Sequence, residues 1–316
     1  MGAVYEAEQH GARDFVKNIA IKIIRPSFAG QNQFIDNFIA EAKLLADLIH
    51  TNLVQTYHLG ESSRLLYARL GASTTNLNRY LTPGQQVYFM AMEFIRGVNL
   101  EQFCKMMQIR KQTLPLDLAV FIVSRVVRGL SYAHSKCSKS GEPLGLVHRD
   151  VSPKNIMIAY EGDVKLIDFG IAKAAGYFQS GEGEVVTGKP DYMSPEQADF
   201  KIIDRRADIF SAGIVLAELL TNKNIFKGGS SSAERLAGEP MYLPNFTDLN
   251  PEIDESLNKI LHRALAWDPE NRYRTAREFL HDLEYQIYHK GYGPTNETLG
   301  KFIRYLFSIP EPAEEG

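Results

Sequence analysis

The chain has 316 residues, 44% hydrophobic and 23% charged, which is enough for a large core and for more than one lobe. Lys and Arg number 35 against 38 Asp and Glu, a net charge of −3, so no basic excess points to nucleic acid and no polybasic run to an anionic membrane. No apolar run reaches the roughly 18 residues of a membrane span, no charged-then-apolar leader opens the chain, and Cys104 and Cys137 form no metal-like cluster; together these predict a soluble cytoplasmic protein.

The first hundred residues read as strands with one helix. "VYEAE" and "NIAIKII" are short and alternating, with the turn-like "HGARD" between them. "FIDNFIAEAKLLADLIH" has the helical period. "NLVQTYHL" and "QVYFMAMEFI" follow as strands, and the polar stretch "GESSRLLYARLGASTTNLNRYLTPGQ" between them is expected to be an elaborated hairpin loop. After Gly97 the pattern turns helical: "LDLAVFIVSRVVRGLSYAHS", "ADIFSAGIVLAELLTN", "SLNKILHRALAW" and "TAREFLHDLEYQIYHKG". A last helix near "NETLGKFIRYLF" carries Leu299, Phe302, Ile303 and Leu306 on one face. The expectation is an α+β chain in two lobes. Residues 1–95 form a small antiparallel β-rich lobe with one main helix, 96–290 a larger, mostly α-helical lobe, and 291–316 a C-terminal helix with an acidic tail. The junction "MEFIRG" is short and ends in glycine, as a hinge can, and a cleft between lobes is a favoured ligand site.

Two charges face inward. Period two puts Ala20, Lys22 and Ile24 on one strand face, so Lys22 has apolar neighbours. Glu41 lies three residues after Phe38 and four before Leu45, on the apolar stripe of the helix. Taken alone, such a lysine snorkels to solvent and such a glutamate sits at a boundary. Together they predict an ion pair across the strand–helix packing, which can hold the lysine towards a phosphate.

The second lobe carries "LVHRDVSPKNIMI" and "VKLIDFG". Asp150, Asn155 and Asp168 are oxygen donors on loops beside short strands. Magnesium on a nucleotide takes only one or two oxygens from protein, and a third carboxylate can accept a proton from a nucleophilic hydroxyl. An isolated H-R-D or D-F-G is most simply a turn with a capping aspartate. The weight lies in the order: inward lysine, helix glutamate, H-R-D with asparagine five residues after the aspartate, and D-F-G thirteen beyond.

In these features the chain resembles the protein kinase family, through "AIK", "IAEAKLL", "HRDVSPKN", "DFG" and "YMSPEQ", and the likeness covers nearly all of it. "MSPEQ" and "GIAKA" are most similar to bacterial members of the eukaryotic-type serine/threonine kinases. The resemblance implies ATP and Mg2+ as cofactors and protein hydroxyls as acceptors, with a homodimer as one route to autophosphorylation. It implies that Lys22 contacts the phosphates and pairs with Glu41, that Asn155 and Asp168 hold magnesium, and that Asp150 is the catalytic base. Ala20 and Met157 would sandwich adenine, Met92 would be the gatekeeper, and the backbones of Glu93 and Ile95 would bond the adenine edge. Arg149 and Lys173 would receive a phosphate on Ser180 or Thr187. Glu196 and Arg272 would form a buried pair, and Asp208 would bond the catalytic-loop backbone, although alone it reads as an acid at a helix N-terminus.

Three departures stand out. Ser152 occupies the position, two after the catalytic aspartate, where serine/threonine members carry lysine; Lys154 lies two further on, where many tyrosine kinases also carry a basic residue, and is expected to stand in for it in part. Lys189 replaces a threonine usual in the activation segment. Gly2 and Val4 match only the end of the glycine-rich loop, so the strand "AVYEAE" is expected to lack the partner strand that precedes it in the family. Met1 then reads as an internal methionine, the alternative being a natural truncation with a weakened nucleotide site. Two further readings stay open: a kinase-like binding module without activity, and a kinase of small metabolites.

Overall fold

A computed structural model describes residues 2–24, 32–62, 67–70, 73–76, 87–169, 190–199, 201–227 and 242–311. The chain divides into two compact units with a boundary between Ile95 and Arg96.

The first unit is built on an antiparallel sheet. Strands β1 (Gly2–His10) and β2 (Val16–Ile24) pair over their full length. Their connection is a tight turn in which Arg13 and Asp14 both have positive φ, 52° and 61°, the handedness that matches the twist of a hairpin. Helix α1 (Asn32–Ala46) turns Phe38, Glu41, Ala42 and Leu45 inward, an i, i+3, i+4, i+7 stripe. Strands β3 (Thr56–Ser62) and β6 (Val87–Glu93) complete the part anticipated from periodicity.

The segment expected to be a loop contains two further strands, β4 (Tyr67–Leu70) and β5 (Ser73–Asn76), giving the sheet order β3-β6-β2-β1-β4-β5. The edge of β1 away from β2, expected to be left open without the family's preceding strand, is instead met by the later strand β4, antiparallel at Glu6 and Arg69. The reason is general: an open strand edge offers a row of N–H and C=O groups, and a nearby hairpin can satisfy them.

The second unit is mostly helical. A small sheet of β7 (Gly97–Asn99), β8 (Ile156–Ala159) and β9 (Val164–Leu166) is antiparallel throughout. Around it lie α2 (Leu100–Arg110), α3 (Leu116–His134), α4 (Pro195–Ala198), α5 (Arg206–Thr221), α6 (Phe246–Leu249), α7 (Glu255–Ala264), α8 (Ala276–Tyr288) and α9 (Asn296–Phe307). Helix α5 is buried on nearly every face, as its largely apolar composition requires, and is the core element of the unit. Among the described residues no helix is long and apolar enough to cross a membrane.

Candidate active site

In the first unit the strand register decides which side chains share a face. Lys22 pairs with Val4 on one side and Met90 on the other, and Ala20 pairs with Glu6 and Met92. Directly opposed residues of a sheet point the same way, so Val4, Ala20, Lys22 and Met92 lie on one face. The other face is the apolar cluster of Ile23 with Ala3, Tyr5, Ile21 and Phe89. From α1, Glu41 accepts a hydrogen bond from Lys22 Nζ at 2.9 Å, with 13% and 9% of the two side chains exposed. Glu93 donates its N–H to Gln55 O at 2.8 Å. Gly2 is paired in β1 with Ile24, and Ile95 follows β6 outside regular structure.

In the second unit the H-R-D stretch is held from behind by one carboxylate. Asp208, in the first turn of α5, accepts from His148 N at 2.7 Å and Arg149 N at 2.8 Å. Its Oδ2 also meets His134 Nε2 at 2.7 Å. Burial pushes the Asp208 carboxyl up, but the His134 bond, the two histidines' fields and the His148 amide outweigh burial and hold it below its ordinary range. Arg149 has φ of 64°, a strained conformation for a residue with a side chain. Its amide is fixed by Asp208 and its carbonyl accepts from Gln197 Nε2 at 3.0 Å, so both ends of the residue are pinned.

His148 packs its ring 4.6 Å from that of Phe169. Its Nδ1 accepts from Asp150 N at 3.2 Å and its Nε2 lies 3.0 Å from Ile167 O. Because a carbonyl only accepts, the proton is on Nε2 and the ring is neutral; burial depresses its basicity, against the fields of Asp208 and Asp150. One imidazole thus ties the loop of Asp150 to the strand end before Asp168.

Asp150 and Asn155 are neighbours. Asn155 Nδ2 donates to Asp150 O at 2.9 Å and to Asp150 Oδ2 at 3.1 Å, while Ile167 N donates to Asn155 O at 2.9 Å. Asp168 follows with φ of 55°. Met157 stands in β8 opposite Asn99 and Lys165. Ser152 is buried, whereas Lys154 is 56% exposed in its side chain and lies 4.0 Å from Glu101 of α2. Glu196 and Arg272 form a bidentate pair at 2.7 and 2.8 Å. Lys173, Ser180, Thr187 and Lys189 lie outside the described residues.

Three supporting residues escaped the sequence reading. Gln197 was signalled by the S-x-x-Q capping box that opens α4 at Ser194. His134 ends α3 one position after its apolar stripe, and Glu101 stands in the first turn of α2; no local pattern announces their partners.

Comparison with known proteins places these geometries in a family. A family model described as protein kinase domain matches residues 1–283. The tyrosine-protein kinase MasK of Myxococcus xanthus is 34% identical over 97% of this chain and 44% of its own length. The serine/threonine-protein kinase PrkC of Bacillus subtilis is 31% identical over 85% of this chain and 36% of its own. The crystal structure of the PknI kinase domain of Mycobacterium tuberculosis matches with a TM-score of 0.60 and 24% identity, covering 90% of this chain and 91% of that one. The chain belongs to the protein kinase family and has the two-part α+β kinase fold. It spans less than half the length of the two curated relatives named here.

Proposed function

We propose that the chain transfers the terminal phosphoryl group of ATP, with magnesium, to serine and threonine hydroxyls of proteins. The observation that carries this is the Asp150–Asn155 arrangement. Asn155 spends its amide N–H groups on Asp150, which fixes the Asp150 carboxylate and leaves the Asn155 amide oxygen as an acceptor. That oxygen and the Asp168 carboxylate are a hard, oxygen-only pair, which fits nucleotide-bound magnesium and no soft metal. When bound, the ion neutralises charge on the phosphates.

Asp150 acts by orienting the acceptor hydroxyl and taking its proton as the new oxygen–phosphorus bond forms. Lys22, kept in place by Glu41, binds the phosphates. Val4, Ala20, Met92 and Met157 supply apolar surface for the adenine ring, and the Glu93 carbonyl and Ile95 amide bond its edge. Two free cysteines, one of them exposed, support a reducing cytoplasmic setting.

A second reading is supported by Ser152 and by the name of MasK: the acceptor is a tyrosine hydroxyl, with Lys154 providing the catalytic-loop charge. The test is phosphate incorporation into the chain and into a generic protein substrate, followed by analysis of the phosphorylated amino acids. Asp150→Asn is expected to lower kcat by about 10²–10⁴. Equal incorporation by wild type and Asp150→Asn, or none by either, would leave only a binding module. Phosphotyrosine alone would replace the first reading with the second.

A further inference from the structure

Helix α9 lies beyond residue 283, where the family match ends, and it grips the hairpin that carries the candidate metal ligands. Strands β8 and β9 have Asn155 immediately before them and Asp168 just after, and the bond from Ile167 N to Asn155 O closes that near end. The far end is the turn Tyr160–Asp163. There Asn296 Nδ2 donates to Asp163 Oδ1 at 2.6 Å, and Arg304 Nη1 donates to Tyr160 O at 2.7 Å. The two backbones are in direct contact. A Cβ on Gly162, whose φ is +93°, would lie 1.8 Å from Asn296 O, and a Cβ on Gly300 would lie 2.8 Å from Glu161 O.

The same helix presses on α2. The rings of Phe302 and Phe103 are 6.0 Å apart, and Arg110 Nη2 donates to Ser308 Oγ at 2.7 Å. Helix α2 in turn bears Glu101, the neighbour of Lys154. The entry to α9 is fixed too, because Tyr288 donates to Pro294 O at 2.9 Å. An apolar cover would need only the buried Leu299, Ile303 and Leu306. The directional bonds and the two side-chain-free contacts do something else: they fix the hairpin turn against one helix in one register.

We propose that α9 is a positioning element, which sets the placement of Asn155 and Asp168 by clamping the β8–β9 turn, with Gly300 and Arg304 as the positioning residues. Its effect on catalysis rests on the kinase reading above; its effect on the hairpin does not. The decisive variant is Gly300→Leu. Leucine favours helix over glycine, so the helix itself is kept while its docking is opposed. Lys301→Ala, on the exposed side of α9, is the control.

Backbone amide hydrogen exchange of the full chain is the first readout. Gly300→Leu and Arg304→Ala are expected to speed exchange at residues 156–167 about tenfold or more, with Lys301→Ala unchanged. The second readout is titration with magnesium and a non-hydrolysable ATP analogue, where Kd is expected to rise about tenfold, with kcat at saturating ATP changed less. Truncation after Gly291 removes α9 outright and covers the case in which Gly300→Leu stays docked. Wild-type exchange at 156–167 in the truncated chain, or in a variant whose residues 296–307 exchange faster, would overturn the clamp. A loosened hairpin with unchanged nucleotide affinity would overturn its role in placing Asn155 and Asp168. A wild-type chain that binds no nucleotide yet shows the exchange effect would sink the kinase reading and leave the clamp standing.

Discussion

Each unit holds a pair of a basic side chain with a glutamate that is largely removed from solvent, Lys22–Glu41 in the first and Arg272–Glu196 in the second, and the two are built differently. Arg272 places all five of its N–H groups: two on Glu196, and the others on the carbonyls of Ala266, Trp267 and Arg206. Its guanidinium also stacks over Phe210, with 4.7 Å from its carbon to the ring centroid, and the side chain is fully enclosed. Lys22 meets Glu41 through one oxygen, on a flexible four-carbon stem, with both side chains slightly open to solvent. Planar guanidinium in a complete cage is fixed geometry, whereas an ammonium on a carboxylate is a point charge that can keep its partner and still reach an anion. The first pair holds a fold together. The second, on the proposed function, keeps a charge ready for a ligand.

Breaking both pairs sharpens that contrast. Arg272→Leu leaves the Glu196 carboxylate buried without its cage and is expected to cost about 3–5 kcal/mol of stability, read as a lowered urea midpoint. Lys22→Met removes the pair with Glu41 at a slightly open site and is expected to cost about 1–2 kcal/mol, less than Arg272→Leu, while abolishing measurable nucleotide binding. If Lys22→Met proves as destabilising as Arg272→Leu with nucleotide affinity intact, the two pairs are of one kind and the division of labour fails.

The difference between the pairs also marks what could be read from the chain. Lys22 and Glu41 betray themselves locally, because each is a charge out of phase with a period, two for the strand and 3.6 for the helix. Asp150, Asn155 and Asp168 are legible as an ordered set at fixed spacing. The β4–β5 hairpin is not, since "YARL" and "STTN" are too short and polar to alternate clearly. Nor is the His134–Asp208 bond, which joins residues 74 positions apart and depends on two helices meeting. Patterns within an element survive in the sequence; a contact between distant elements is legible there only where each partner breaks its own period, as Lys22 and Glu41 do, or where a family likeness supplies it.

Between the two pairs in character stands the Asp208 network, which combines a buried carboxylate with a buried neutral ring. Both groups have basicity depressed by the fold, so both contribute stability that is complete above their unfolded pKa values and lost as pH falls. For His148 the loss begins near its ordinary value of 6.5 and for Asp208 only near 3.8. Their joint contribution is therefore expected to be flat above neutral pH and to fall below about 6.5, His148 contributing up to about 1.4 kcal/mol per pH unit. His148→Phe keeps a ring against Phe169 and removes that proton. Its urea midpoint should be lower overall but should fall less steeply between pH 6.5 and 5. A variant with the wild-type slope would place the proton elsewhere.

Lys154 tests the comparison at its weakest point, because it is a lysine like Lys22 but on the surface. Its side chain is 56% exposed and its distance of 4.0 Å to Glu101 is at the limit of an ion pair, so the pair adds almost nothing to stability. If its charge serves the reaction, it does so by meeting the transferring phosphate, an interaction made mainly in the transition state. Lys154→Ala is then expected to lower kcat about tenfold, with KM for ATP and the urea midpoint nearly unchanged. Glu101→Gln should leave kcat at or above the wild-type value, since it frees the lysine from a competing carboxylate. Lys154→Ala with wild-type kcat would make the residue a solvated surface charge, and the position held in this chain by Ser152 would then have no substitute in the catalytic loop.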